Sequence, residues 1–218
     1  NLQSGSFDNC SLTGNGFNGP TGITLNEQAN IAYITNQTDN TVSRCNIDAT
    51  KGILSSCSNL LIDGLSSPQD INFDGKYNFV YITSAANNSI IVCLFDSPTT
   101  DLLDCKPTGN GFSSPQSTAI DATNKYAYIT NNGSDSVSLC NINKDTGELY
   151  NCNATGSGFN GLSDFTFNSS QTLAYISNTN SVSVCKVNPV NGTLFECKNT
   201  GSGFNISSGI RLHTVNPQ

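Results

Sequence analysis

Apolar and polar residues alternate along most of the chain, in short runs broken by Asn, Asp, Gly, Ser and Pro. A period of two marks half-buried strands, and no segment sustains a helical period. One run type recurs as Gly22-Ile23-Thr24-Leu25, Asp70-Ile71-Asn72-Phe73, Thr118-Ala119-Ile120, Asp164-Phe165-Thr166-Phe167 and Gly209-Ile210-Arg211-Leu212. An aromatic run follows it: Ala32-Tyr33-Ile34-Thr35, Val80-Tyr81-Ile82-Thr83, Ala127-Tyr128-Ile129-Thr130 and Ala174-Tyr175-Ile176-Ser177. A third run carries a cysteine, as in Thr41 to Ile47, and a fourth leads into another, as in Ile53 to Cys57. The unit returns every 45–48 residues, a period that signals a solenoid or a propeller. Four short strands per unit predict propeller blades.

The expected fold is all-β: a β-propeller of four complete four-stranded blades in a single domain over residues 1–218. The repeats fall at 10–56, 57–104, 105–151 and 152–196, with a partial one at 197–218. A fourth-type strand ends at Cys10, and a first-type strand runs from Ile210 to Val215. Pairing these two terminal strands gives a short closing element and five spokes. The alternatives are a four-bladed ring with the ends packed across its seam, and a truncated chain.

Cysteine spacing adds a compartment to this picture. Cys45 and Cys57, Cys93 and Cys105, Cys140 and Cys152, and Cys185 and Cys197 each stand twelve residues apart, astride a turn. A hairpin about each turn sets the partners opposite one another, which predicts four disulfides within hairpins. Cys10 is left unpaired, so a monomer with a free thiol or a Cys10-linked dimer is expected. Such regular cysteines belong to an oxidising compartment. The chain reads as secreted, periplasmic or displayed at the cell surface, in a mature form without its export signal. Its longest apolar stretch, Ile90 to Phe95, is too short to insert into a membrane. With no C-x-x-C and His213 as the single histidine, no zinc site, and no cofactor, is expected.

Charged residues make up 11% of the chain, the net charge is -7, and Lys and Arg form no cluster. Nucleic acid depends on concentrated positive charge and is excluded as a partner.

Candidate chemistry lies at three places. Thr13-Gly14-Asn15-Gly16-Phe17 recurs at Thr108, Thr155 and Thr200. It is either a ring of sugar-binding loops or, more simply, a crossover in which the aromatic plugs the core. The loops after the aromatic strands carry Asn36, Asp39, Asn131 and Asp135, which suit carbohydrate hydroxyls or ordinary turns. The exits of the first-type strands carry Asp74, Asp121 and His213. If these line one channel mouth, they are the candidate catalytic or metal group.

Pro20-Thr21-Gly22-Ile23, Ala32-Tyr33-Ile34-Thr35-Asn36 and Asn40-Thr41-Val42-Ser43 resemble the repeat of the YVTN-type β-propellers, as do Ala127 to Asn131 and Ala174 to Asn178. The resemblance spans nearly the whole chain and implies the fold. Such blades serve surface-layer proteins, lactonase-like enzymes and many binding proteins, so several functions are implied at once. The expected function is a secreted or cell-surface binding protein that engages a protein or carbohydrate ligand on one propeller face. A lactonase-like or other hydrolase and a structural surface scaffold are the alternatives.

Overall fold

The structure, a computed structural model, describes residues 10–76, 78–201, 203–204 and 209–210. The strand expected before Cys10, most of the expected C-terminal strand, and His213 lie outside the described residues.

The described residues form four antiparallel four-stranded sheets, each with its strands in sequence order. Blade one holds β1 (Pro20–Asn26), β2 (Ile31–Asn36), β3 (Thr41–Ile47) and β4 (Leu54–Leu61). Blade two holds β5 (Pro68–Phe73), β6 (Phe79–Ser84), β7 (Ser89–Asp96) and β8 (Asp101–Thr108). Blade three holds β9 (Pro115–Ile120), β10 (Tyr126–Asn131), β11 (Ser136–Ile142) and β12 (Leu149–Thr155). Blade four holds β13 (Phe165–Phe167), β14 (Leu173–Ser177), β15 (Val182–Val187) and β16 (Leu194–Thr200). This is the propeller expected from the repeat, with β1, β5, β9 and β13 packed side by side as inner strands.

The core lies between blades in layers. Ile31, Tyr33 and Val42 of blade one meet Ile71, Val80 and Ile82 of blade two. Tyr81 and Val92 of blade two meet Ala127 and Ile129 of blade three, and Tyr128 and Val137 meet Phe165, Ala174 and Ile176 of blade four. Strands β2 and β6 are buried along their whole length. A strand covered on both faces needs apolar residues at successive positions, which explains the unbroken Ala-Tyr-Ile character of these segments.

The four predicted disulfides are all present, each within one hairpin of the outer two strands. At each bridge the register of the outer pair slips by one residue. Ser56, Asp104, Asn151 and Glu196, just before the second cysteine, take left-handed backbone with φ of 49–51°. The bulge turns both cysteines to the same side of the sheet. Cys10 is free and exposed.

The Thr-Gly-x-Gly-Phe segments are core plugs. Phe112, Phe159 and, in the divergent second copy, Leu65 are buried. Gly109 has φ of 67°, and a Cβ there would lie 2.8 Å from the Phe112 ring folded over it, so only glycine fits.

Candidate functional site

The inner strands bring one repeat position to the propeller axis: Gly22, Asp70, Ser117 and Asp164. Each inner strand is tied to its neighbour by the same device. The backbone N–H of Gly22 donates to Thr35 Oγ1 at 2.8 Å, that of Asp70 to Thr83 Oγ1 at 2.8 Å, that of Ser117 to Thr130 Oγ1 at 3.0 Å, and that of Asp164 to Ser177 Oγ at 2.8 Å. The hydroxyl that closes each aromatic run therefore anchors the axial position beside it.

Three of these positions converge. Ser117 Oγ lies 3.0 Å from Asp70 Oδ2 and 2.9 Å from Asp164 Oδ1. Asp70 Oδ2 also accepts from Asn72 Nδ2 at 2.7 Å and from the Thr118 N–H at 3.0 Å. Asp164 accepts from the Phe165 N–H at 2.8 Å and the Ile210 N–H at 2.9 Å. Both carboxylates are buried. A serine hydroxyl owns one hydrogen, so Ser117 donates to one carboxylate at a time and links the pair into a single proton-exchanging unit. Buried acids tied together in this way are typical of sites that move protons.

The trio lines a cavity of about 420 Å³ on the axis, bounded also by Thr21, Gln116 and Gly209. A second cavity of about 290 Å³, on the far side of Ser117, is walled by Asn72, Phe73, Phe165 and Phe167. Among the described residues no group of three or more His, Cys, Asp or Glu side chains is placed to hold a metal ion.

The strand-exit acids predicted as a catalytic rim do different work. Asp74 Oδ1 accepts from the N–H groups of Asn78 at 2.7 Å and Phe79 at 3.1 Å, while its Oδ2 accepts from Asn124 Nδ2 at 3.0 Å. Asp121 accepts from the N–H groups of Lys125 at 2.7 Å and Tyr126 at 2.6 Å. Each caps the hairpin that it begins. Asp121 also touches the second cavity.

The loop candidates are equally committed. Asn36 and Asn131 are buried; their amides donate to Ser43 at 2.8 Å and Ser138 at 2.9 Å. Asp135 accepts from the Gly161 N–H of the next blade at 2.5 Å, and Asp39 from Asn18 Nδ2 at 2.5 Å. Asp70 and Asp164 are the residues that the strand-exit reading passed over. Their signal was a carboxylate placed at the head of an otherwise apolar inner strand, twice, in the same repeat position.

The family described as lactonase, 7-bladed beta-propeller, matches residues 11–162 and 68–205. The chain belongs to this lactonase propeller family. No curated protein matches it significantly. Among solved structures, the periplasmic gluconolactonase of Pseudomonas aeruginosa is similar at a TM-score of 0.72 and 13% identity, over 88% of this chain and 56% of that one. A putative 6-phosphogluconolactonase from Bacteroides fragilis gives 0.71 and 11%, over 87% and 56%. A functionally unknown protein from Desulfotomaculum acetoxidans gives 0.69 and 22%, over 88% and 60%. The chain thus spans 56–60% of the length of these lactonase-type propellers and their kin. At such identities the likeness is one of fold.

Proposed function

We propose that the axial cavity is the site of a lactonase-like hydrolase, working in an exported protein whose blades are of the YVTN type. The observation that carries this reading is the Asp70–Ser117–Asp164 group, two buried carboxylates sharing one hydroxyl inside a cavity of about 420 Å³. Membership in the lactonase family and the named activities of its structural neighbours support it. In the proposed reaction the paired carboxylates take a proton from a water molecule. The resulting hydroxide adds to the lactone carbonyl, the ring C–O bond breaks, and the proton passes to the departing alkoxide to give a hydroxy acid. Positioned general-base catalysis of this kind contributes roughly 10²–10⁴-fold.

Acid release from a panel of five- and six-membered lactones tests the reading. Turnover that falls about 10²-fold in Asp164→Asn is expected. A panel that stays inert against the uncatalysed rate sinks it.

Recognition of a protein partner is the second reading. It rests on the groove between β4 and β8, about 600 Å³, where Leu61 and Leu103 are exposed.

A further inference from the structure

The axial cavity is acidic without compensation. Its lining holds Asp70 and Asp164 and no Lys or Arg. The described basic side chains with a charged or aromatic partner are engaged elsewhere. Arg44 pairs with Asp101 at 2.8 Å, Lys106 with Glu148 at 2.7 Å and Lys186 with Glu196 at 2.6 Å, while Lys125 lies over the Tyr126 ring. The Ser117 hydrogen is already divided between the two carboxylates. The remaining polar side chains of the lining, Thr21, Gln116 and Ser163, are neutral. They suit sugar hydroxyls.

We propose, on the basis of the hydrolase reading, that this cavity selects uncharged polyhydroxylated lactones and rejects their phosphorylated counterparts. A phosphate monoester carries between one and two negative charges at neutral pH. Bringing it beside two carboxylates in a partly desolvated cavity sets like charges together, which costs several kcal/mol where such groups are juxtaposed. The neutral ring meets no such opposition. Selection therefore arises from repulsion rather than from a better fit. Arg211, which follows Ile210 in the sequence, lies outside the described residues and is the cation that the test must control.

The experiment compares kcat/KM for glucono-lactone and its 6-phosphate at low and high salt. The neutral lactone is expected to lead by about tenfold or more at low salt. The gap should narrow as salt screens the repulsion, with the neutral substrate unaffected. A phosphorylated substrate that is equal or better overturns the proposal, and loss of that advantage in Arg211→Gln would name the cation responsible. Titration calorimetry with gluconolactam and its 6-phosphate reads the same selection without turnover. Tighter binding of the neutral lactam supports the proposal, while tighter binding of the phosphate, or binding of neither, overturns it. If the lactam binds tighter but neither lactone is hydrolysed, selection stands and the hydrolase reading fails.

Discussion

The hydroxyl of Tyr81, on the second strand of blade two, donates at 2.8 Å to the carbonyl of Gly147, in the outer turn of blade three. Tyr128 does the same to Gly192 at 2.6 Å, and Tyr33 to Thr100. The tyrosine of each aromatic run is thus a strut that fixes the next blade. Burial pushes all three phenols well above their ordinary pKa, so the donor hydrogen stays in place across the physiological range. Tyr175 occupies the same repeat position but is only partly buried, and it has no hydrogen-bond partner among the described residues.

This difference sets the first prediction. Tyr81→Phe keeps the ring and strands the Gly147 carbonyl, which should cost about 1–3 kcal/mol. Tyr175→Phe should cost less than about 0.5 kcal/mol. Urea denaturation of the two variants beside the wild type checks it, and equal losses would remove the strut from the account of blade packing.

The disulfides give a second. Each closes a short loop within its hairpin, worth about 3 kcal/mol in the chain-entropy estimate. Non-reducing peptide mapping should recover the four pairs with no crossed connectivity. Replacing Cys140 and Cys152 together by Ala should lower the melting temperature by several degrees. Cys10 should titrate as one accessible thiol per native chain, and Cys10→Ser should abolish that signal without changing the melt. A Cys10-linked dimer would appear in the same non-reducing sample and vanish in that variant.

Strands and bridges were legible because both follow fixed intervals, two residues along a strand and twelve between cysteines. The site was less so. Asp74 and Asp121 carry the residue type that a catalytic rim needs, yet the same carboxylate four or five residues before two backbone N–H groups caps a hairpin. Asn36 and Asn131 read as loop ligands, and they are buried because their amides bind serines of the next strand. The axial trio escaped notice for another reason. Its repeat position changes from Gly22 to Asp70, Ser117 and Asp164, so no uniform column announces it. Only the radial packing of inner strands brings Asp70 and Asp164, far apart in sequence, onto one hydroxyl.

Acid should weaken the outer hairpins. Hydrogen bonds from Thr50 hold the Asp48 carboxyl below its usual range, and Lys106 and Lys186 do so for Glu148 and Glu196. A carboxylate with a lowered folded pKa contributes stability above the unfolded value, and that contribution is lost as pH falls through the folded one. Melting temperatures should therefore decline below about pH 4. All three groups lie in solvent, so the slope should be shallow. Lys106→Ala should flatten it, and a slope unchanged by that variant would assign acid sensitivity to other groups.

Asp74 and Asp164 separate structure from chemistry. Asp74→Ala leaves the N–H groups of Asn78 and Phe79 and the amide of Asn124 without their acceptor. Because Asp74 is buried, the loss should be about 1–3 kcal/mol, with the melting temperature falling about 2–4 °C for each kcal/mol in a chain of this size. Lactone turnover per folded molecule should hardly change, since the turn lies away from the Ser117 bridge. Asp164→Asn should behave in the opposite way. The asparagine carbonyl can still accept from Phe165, so the melt should move little, while removal of the carboxylate lowers turnover about 10²-fold. Activity and melting curves measured on both variants decide the matter. If Asp74→Ala silences a protein that is still folded, the chemistry belongs to the strand exits rather than to the axis.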